Sequence, residues 1–191
     1  MIAKSLRPAI SLLLLMTTLC GLVYPLVITG IARVVFPDQA AGSLIHADGK
    51  LVGSQLIGQS FVDPKHFWGR PSATTPQVYN ALGSTGSNLG PSNPALIDQV
   101  KANAKRLRDA DPANLQAIPV DLVTASASGL DPEISRAAAD YQAGRVAFAR
   151  SLPIAEVQSL IAAHSKGRVL GIFGEQRVNV LEMNLALDKM H

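Results

Sequence analysis

The chain has 191 residues and a formal net charge of +3, with 17 Lys and Arg against 14 Asp and Glu. All 14 acidic residues lie after Phe36, whereas the basic excess comes from Lys4, Arg7 and Arg33, so the chain from Phe36 onward is formally neutral. A neutral domain without a basic stripe is a poor candidate for binding nucleic acid. The single cysteine, Cys20, excludes an internal disulfide, and the 4 scattered histidines lack the spacing of zinc ligands.

The first predicted element is a membrane-spanning helix over Pro8–Ala32. These 25 residues carry no charge. As a helix they reach about 37 Å, enough to cross a hydrocarbon core about 30 Å thick. The run exceeds the apolar region of about 7–15 residues that is typical of a cleaved signal peptide, which is the alternative. Pro25 interrupts the hydrogen-bond ladder, and a neighbouring helix in the membrane would cover the carbonyl that it frees.

The charges beside this helix predict its orientation. Lys4 and Arg7 precede it and Arg33 follows, so the positive-inside rule favours a cytoplasmic N-terminus. We therefore predict a membrane anchor over residues 1–35, with its span at about 9–32, and one extracytoplasmic domain over residues 36–191. The second part, about 155 residues long, suits a single domain with a modest core.

Two stretches of different character open the predicted extracytoplasmic domain. Ser43–Ile57 places two apolar runs around Asp48-Gly49, which predicts a hairpin with a tight turn. Phe61–Pro94 is rich in Gly, Pro, Ser, Thr and Asn, so we expect it to be loop. Its aromatic residues argue against disorder, and we predict an ordered loop wrapped over the domain.

The rest of the chain is typical of short helices with few strands. The predicted elements, in order, are a helix from Asn93-Pro94 to Asp111-Pro112, a strand at Ile118–Thr124, a helix at Ile134–Arg150 capped by Asp131 and broken near Gly144, a helix from Ser151–Pro153 to Lys166-Gly167, and a last helix behind the capping box of Asn179 and Glu182. Val178–Val180 fits a strand as well as the start of that last helix. The predicted fold class is α+β, with one small sheet and several short helices.

Two serine-rich stretches are the strongest candidates for a ligand site. In Ser84–Gly90, glycines between hydroxyl and amide side chains can present backbone N–H groups to a phosphate. No Gly-Lys-Ser/Thr sequence completes a Walker A loop, and an ordered turn or a contact with a protein partner are the alternatives. In Ser126–Pro132, hydroxyls lie at a predicted helix start, where Asp131 takes the N-cap position and would repel an anion.

Nucleophilic catalysis has no recognisable motif in this sequence. It contains no Gly-x-Ser-x-Gly elbow, and no histidine lies near a recognisable catalytic Ser or Asp motif. The rival class of function is an independent membrane-anchored hydrolase or small-ligand-binding domain. A hydrolase would need a pair of titratable groups in a defined geometry, and the sequence indicates none.

Six motifs follow one another behind the single span. They are Phe67-Trp-Gly-Arg-Pro-Ser-Ala73, Tyr79-Asn80, Ser87-Asn-Leu-Gly-Pro-Ser-Asn-Pro94, Asp121-Leu-Val-Thr-Ala-Ser126, Ser128-Gly-Leu-Asp-Pro132 and Gly174-Glu-Gln-Arg-Val-Asn-Val180. In this combination the chain closely resembles the C subunit of the Kdp-type potassium-transporting ATPase of bacteria, over nearly its whole length.

The resemblance implies a non-catalytic accessory subunit of an ATP-driven potassium uptake complex in the inner (plasma) membrane. The implied partners are an ATP-hydrolysing P-type pump subunit, a channel-like potassium-binding subunit whose outer mouth this domain covers, a very small single-span subunit and the lipid bilayer. The family is needed for a stable complex, and it is credited with raising the ATP affinity of the pump subunit as a catalytic chaperone. ATP and potassium belong to the complex, and the resemblance implies no cofactor bound by this subunit itself.

The glycine-rich loop around Ser87 resembles the signature loop of ABC transporters, which fits a nucleotide-related role. The charge bias, however, puts this loop on the side of the membrane without ATP. Thr85, Ala127 and Glu133 depart from the residues usual in the family, and the β-branched Thr85 narrows the backbone options of a phosphate cradle. A role in contacting a protein is unaffected by these departures.

The candidate site residues lie in the long loop and in the Ser126–Pro132 stretch. They have two alternative roles, contact with a partner or a nucleotide-related role implied by the resemblance. They are Trp68, Arg70, Tyr79, Asn80, Ser84, Gly86, Ser87, Asn88, Gly90, Ser128 and Asp131. Trp68 fits a core position equally well. Arg70 is a residue type that is rarely buried without a partner.

We expect the anchor to be retained, with its N-terminus in the cytoplasm. Protease added to spheroplasts will then digest the chain after Phe36 and spare a tag fused at Met1. In permeabilised cells the tag becomes accessible, which is the control. A protected C-terminal part, or a mature N-terminus that begins after Ala32, would contradict this prediction.

Overall fold

The computed structural model of the chain describes residues 2–190. Met1 and His191, the outer limits of the two predicted domains, lie outside the described residues. Contacts divide the chain into two units, one that extends to Val52 and one that starts at Gly53.

The first unit begins with one long apolar helix. Helix α1 (Ile2–Thr18) continues through a π-helical turn (Leu19–Val23) into α2 (Tyr24–Val35). The 31 residues Ser5–Val35 have a mean hydropathy of 2.1, so the helix is long and apolar enough to cross a membrane. The π-helical turn lies directly before Pro25 and accommodates the missing N–H and the ring, so the helix continues past the proline.

The predicted hairpin is confirmed. After a short helix α3 (Pro37–Ala40), strands β1 (Leu44–Ala47) and β2 (Lys50–Ser54) form a two-stranded sheet. Between them, Asp48 and Gly49 have φ values of 50° and 73°. Positive φ at both central residues is what a type I′ turn requires, and Asp and Gly are residue types that adopt it readily.

The second unit holds a small sheet and the remaining helices, which confirms the predicted α+β class. The strands are β3 (Glu133–Ser135), β4 (Ser165–Lys166) and β5 (Arg177–Asn179). They are antiparallel, in the order β3-β5-β4. The helices are α4 (Pro94–Ala110), α5 (Arg136–Arg150), α6 (Ile154–His164) and α7 (Val180–Leu187).

The core of this unit forms where α5, α6 and α7 all contact β5. Val178 of β5 lies opposite Ile134 on β3, and both side chains are buried. The largest fully buried apolar side chains are Phe67, Leu122, Ile134, Val146, Val157, Ile161, Val178, Met183 and Leu187. Phe67 comes from the long loop, so the loop is part of the core.

The predicted helix starts are confirmed at three places. Asn93 Oδ1 accepts a hydrogen bond from Ala95 N at 2.9 Å in front of α4. Asn179 Oδ1 accepts one from Glu182 N at 3.0 Å in front of α7. Because β5 ends at Asn179, this residue closes a strand and caps a helix, so both alternatives for this stretch hold in part. Pro153 precedes α6 as predicted.

The predicted strand at Ile118–Thr124 is wrong. The stretch contains a 3₁₀ turn, Val120–Leu122, and extended backbone without a partner strand among the described residues. A local bond takes precedence over β propensity here, since Thr124 Oγ1 donates to Val120 O at 2.8 Å. Ser135 donates to the Asp121 carboxylate from its backbone N (2.7 Å) and its Oγ (3.2 Å), which fixes the turn against β3.

The predicted helix at Ile134–Arg150 begins later than expected and is not broken. Its first residues form β3, because β5 lies alongside and offers backbone partners. Ser135, and not Asp131, is the N-cap of α5, since its Oγ accepts a hydrogen bond from Ala138 N at 3.0 Å. The helix continues through Gly144, where an added Cβ would meet open space, so one glycine is not enough to break it.

The predicted end of the next helix is also displaced. We expected Lys166-Gly167 to stop it, but α6 ends at His164. Ser165 and Lys166 instead form β4, because they pair with Val178 and Arg177 of β5. Tertiary pairing therefore decides this boundary.

The predicted loop over Phe61–Pro94 is confirmed, and two buried amide side chains fix it. Asn184 of α7 accepts a hydrogen bond from Phe67 N (2.9 Å) and donates one to Phe67 O (3.0 Å). Gln142 of α5 accepts one from Trp68 N (2.8 Å) and donates one to Trp68 O (3.1 Å). Both amides are 1% exposed. This amide clamp, Gln142 and Asn184, supplies the hydrogen bonds that a neighbouring strand would otherwise give to extended backbone.

Gln142→Leu should destabilise the second unit by about 2–4 kcal/mol, because the backbone N–H and C=O of Trp68 would be buried without partners. Denaturant titration of the full-length chain in detergent, followed by the fluorescence of its 1 Trp, measures the free energy of unfolding. Gln99→Leu, on the exposed side of α4, is the matched control and should change it by less than about 0.5 kcal/mol. If both substitutions change the free energy of unfolding equally, the role of Gln142 in the clamp is contradicted.

Candidate functional site

Trp68, which fitted either the core or a contact surface, lies in the core. It is 5% exposed, and its Nε1 donates to Asp63 O at 2.9 Å. The guanidinium carbons of Arg106 and Arg145 lie 4.9 and 4.3 Å from the ring centroid, which makes two cation–π contacts. The buried Trp68 side chain therefore holds the loop against the core and does not present a contact surface.

Arg145 is an important residue that the sequence analysis missed. Only 6% of it is exposed, and its guanidinium donates to the backbone oxygens of Pro64 and His66 and to Gln142 Oε1. Burial lowers its pKa to about 10, so it remains a cation at neutral pH. The available signal was its position three residues after Gln142 in an Ala-rich helix, because two polar residues on one buried face of α5 need polar partners.

Arg70 and Asp131 form an ion pair that joins the long loop to the serine-rich stretch Ser126–Pro132. Arg70 Nη1 donates to Asp131 Oδ2 at 3.0 Å, and Nη2 donates to Ala125 O at 3.4 Å. Asp131 Oδ1 also accepts a hydrogen bond from Glu133 N at 3.0 Å. The carboxylate predicted to cap a helix thus holds a turn and an arginine, and both charges are compensated inside the unit.

Tyr79 packs into the same region. Its phenol donates to Arg70 O at 2.6 Å, and burial raises the pKa of Tyr79 to about 12, with the Asp131 charge adding to the effect. Gly58 and Gly69 leave room for the ring, since an added Cβ at either would come within 2.4 Å and 2.7 Å of Tyr79 atoms. Tyr79 therefore stabilises the conformation of the loop.

The hydroxyl groups of the loop bond to backbone groups of the loop itself and of the Ser126–Pro132 stretch. Ser72 Oγ donates to Gly129 O at 2.7 Å and accepts from Tyr79 N at 3.0 Å. Thr74 Oγ1 accepts from Asn80 N at 3.0 Å. The Asn80 side chain in turn accepts from the backbone two residues later and donates to the backbone five residues earlier. These bonds make the loop rigid without regular secondary structure.

The two serine-rich stretches pack directly on each other. Ser84 Oγ donates to Ser128 O at 3.1 Å. An added Cβ at Gly86 would lie 2.8 Å from Ala127 O, and Gly129 has φ 67° with equally little room. Close packing between the stretches thus accounts for the glycines at 86 and 129, of which Gly86 was a candidate for a phosphate cradle.

Several parts of the loop lie at the surface, and one of them holds candidate residues. Asn88 is exposed with φ 52°, Gly90 has open space around it, and Ser87 is half-buried. Leu82 is 100% exposed. We call residues 82–90 the exposed loop. It combines a fixed backbone with an apolar and an amide side chain that face outward.

A separate groove lies between the C-terminal part of α5 and the segment after α4. Its volume is about 1040 Å³, and most of its lining is apolar, with Phe148 90% and Leu115 89% exposed. Arg145 also lines it, but that guanidinium already binds backbone oxygens. The groove has the size of a small-ligand pocket and is the place that the rival ligand-binding function would use.

We expect the phenol of Tyr79 to ionise near pH 12 instead of near pH 10. The phenolate absorbance of the full-length chain minus that of Tyr79→Phe isolates this residue among the 3 tyrosines. Because the folded-state pKa is raised, the stability present below about pH 10 declines as the pH rises toward about 12, and Tyr79→Phe lacks this decline. In denaturant the midpoint should return to about 10. A native midpoint there would contradict the burial.

Comparisons with known proteins agree with the resemblance seen in the motifs. A family model described as K+-transporting ATPase, c chain (KdpC) matches residues 6–189. The potassium-transporting ATPase KdpC subunit of Herminiimonas arsenicoxydans is 59% identical over 188 residues, which cover 98% of this chain and 99% of the relative. The KdpC subunit of Variovorax paradoxus (strain S110) is 62% identical over 183 residues, 96% and 95% of the two chains. The chain therefore belongs to the KdpC family of potassium-transporting ATPase subunits.

Proposed function

We propose that this chain is a non-catalytic accessory subunit that holds a potassium-transporting ATPase complex together from the extracytoplasmic side of the inner membrane. Family membership supports the role of a subunit. The observation that carries the accessory role is the state of the loop: the hydroxyls of Ser72, Thr74 and Ser84 bond internally, while Leu82 and Asn88 are exposed. Such a surface is suited to contact and not to chemistry.

The rigidity of the loop supports a contact function. Binding by a preformed surface avoids the entropic cost of ordering a mobile segment. The amide clamp, the Arg70–Asp131 pair and the Tyr79 phenol all fix the backbone that carries the exposed loop. The channel-like potassium-binding subunit is the proposed contact, and the P-type pump subunit, the very small single-span subunit and the bilayer complete the proposed assembly.

The engagement of the loop hydroxyls supports a non-catalytic role. The hydroxyls of Ser72, Thr74 and Ser84 donate to backbone carbonyls, and the Asp131 carboxylate is neutralised by Arg70. A nucleophile needs a free base within hydrogen-bond distance, and these groups do not provide that arrangement. ATP hydrolysis and potassium binding are therefore assigned to the other subunits.

We further propose that any effect on the ATP affinity of the pump subunit is indirect. The charge bias around the anchor favours the extracytoplasmic side for the domain, opposite the ATP site. Internal packing accounts for Gly86, one of the glycines of the predicted phosphate cradle. The catalytic-chaperone effect would then reach the pump through the assembled complex, with the single-pass anchor and its cytoplasmic N-terminus as the physical link.

A second candidate function is the binding of a small apolar ligand. The groove beside Phe148 and Leu115 favours it, because its size and apolar lining match those of ligand pockets. The two functions differ in what a surface substitution affects. Only the accessory role requires assembly to depend on the exposed loop, whereas the ligand-binding role requires ligand affinity to depend on the groove.

Asn88→Gly and Leu82→Asn should weaken assembly without unfolding the chain. Glycine keeps the positive φ of residue 88 while it removes the amide, and Leu82 has no core contact to lose. Loss of a contact residue costs about 2 kcal/mol, or about thirtyfold in affinity. Co-purification with a tagged pump subunit and potassium uptake should fall together, while the unfolding midpoint stays unchanged.

Leu115→Asn is the matched control for Leu82→Asn, since Leu115 is 89% exposed but lies in the groove. It should leave assembly unchanged. Arg70→Ala should reduce both stability and assembly, because Asp131 loses its partner. Parent-like assembly and transport in the Asn88 and Leu82 variants would show that the exposed loop is only structural.

A further inference from the structure

An exposed apolar turn connects β4 to β5. Its residues Val169, Leu170, Ile172 and Phe173 are 55%, 84%, 73% and 63% exposed. Backbone hydrogen bonds hold its shape, from Val169 N to Phe173 O at 2.8 Å and from Phe173 N to Val169 O at 3.0 Å. We call residues 169–173 the apolar turn. It is a preformed projection, and its side chains are not part of the core.

The backbone of the apolar turn makes its leucine unusual. Leu170 and Gly171 have φ values of 54° and 74°. The hairpin of the first unit has nearly the same geometry, φ 50° and 73°, but uses Asp48 and Gly49 there. Asn, Asp and Gly tolerate positive φ, whereas leucine is disfavoured in it. The first turn therefore has the usual residue types for positive φ, whereas the second has an apolar residue, Leu170, in that position.

Leu170 combines two unfavourable features, a disfavoured backbone conformation and an apolar side chain in water. Neither is offset within the described chain, since the side chain is 84% exposed and takes no part in the core. Burial against another surface offsets both, because removal of apolar area from water is favourable. An observed backbone exception of this kind points to function.

The charges at the base of the turn identify the kind of surface. Arg168 pairs with Glu175 at 3.1 Å, and Lys166 pairs with Glu182 at 3.5 Å. The base is therefore charge-balanced and does not attract an anionic lipid surface. Residues 169–173 themselves contain no Trp, Tyr, Lys or Arg, the types that hold segments at a bilayer interface, and the flanking Lys166 and Arg168 are paired with carboxylates. An apolar centre within a neutral polar rim is the arrangement of a protein–protein contact.

We propose that the apolar turn inserts into an apolar pocket on the extramembrane surface of another subunit of the potassium-transporting ATPase. This inference rests on the proposed function and adds a second contact to that of the exposed loop. Four side chains on a single turn bury less area than a stable interface needs. The turn therefore acts as a small group of strongly contributing residues within a larger contact. Its fixed shape means that docking costs little ordering entropy.

Leu170→Asn separates docking from a structural role. Asparagine accepts positive φ better than leucine, so the unfolding midpoint of the full-length chain in detergent should stay the same or rise. Affinity for the complex, measured by titration of the tagged remaining subunits, should fall at least tenfold, which is about 1.4 kcal/mol. Ile172→Ser leaves the positive-φ residues in place and should have the same effect. Leu115→Asn should leave the affinity unchanged.

A photo-crosslinking amino acid at position 170, activated in membranes that hold the assembled complex, identifies the contact directly. We expect one product, with another subunit of the ATPase. Crosslinks to lipid alone would overturn the proposal in favour of a bilayer contact. Full assembly of Leu170→Asn and Ile172→Ser, or a lowered unfolding midpoint with normal assembly, would overturn it while the proposed function stands. Failure of the parent chain to assemble would overturn both.

Discussion

Two buried amide side chains decide where the loop of this protein lies. Phe67 and Trp68 pair with no strand among the described residues, so their buried backbone groups need other partners. Gln142 and Asn184 each present a donor and an acceptor with the geometry of a peptide group, and each satisfies one residue completely. Because both amides come from core helices, the loop is attached to the core itself.

The remaining contacts of the loop depend on this attachment. With Trp68 in the core, the Arg145 guanidinium lies over the indole ring and donates to His66 O. Both contacts compensate the buried charge of Arg145. The same position of the chain brings Arg70 to Asp131 and the Tyr79 phenol to Arg70 O. The serine and glycine content that resembles a ligand-binding loop thus serves mainly to pack one irregular segment against another.

This arrangement separates stability from contact. The hydroxyls of Ser72, Thr74 and Ser84 bond within the unit, whereas exposed side chains such as Leu82 and Leu170 are apolar. An accessory subunit needs fixed shape and exposed apolar or amide groups more than it needs reactive ones. Asp48-Gly49 and Leu170-Gly171 have nearly the same turn geometry, but one turn carries a polar side chain and the other an exposed apolar one.

The sequence by itself determined the features that depend on neighbouring residues: the apolar helix, the Asp48-Gly49 turn and the caps at Asn93 and Asn179. Its motifs also determined the family. Only the tertiary structure decided that Glu133–Ser135 is a strand, because β5 supplies the hydrogen bonds that favour extended backbone there. It also decided the amide clamp, whose partners are 74 and 117 residues apart. A buried polar side chain is explained only by the group that it meets, and local sequence does not specify that group.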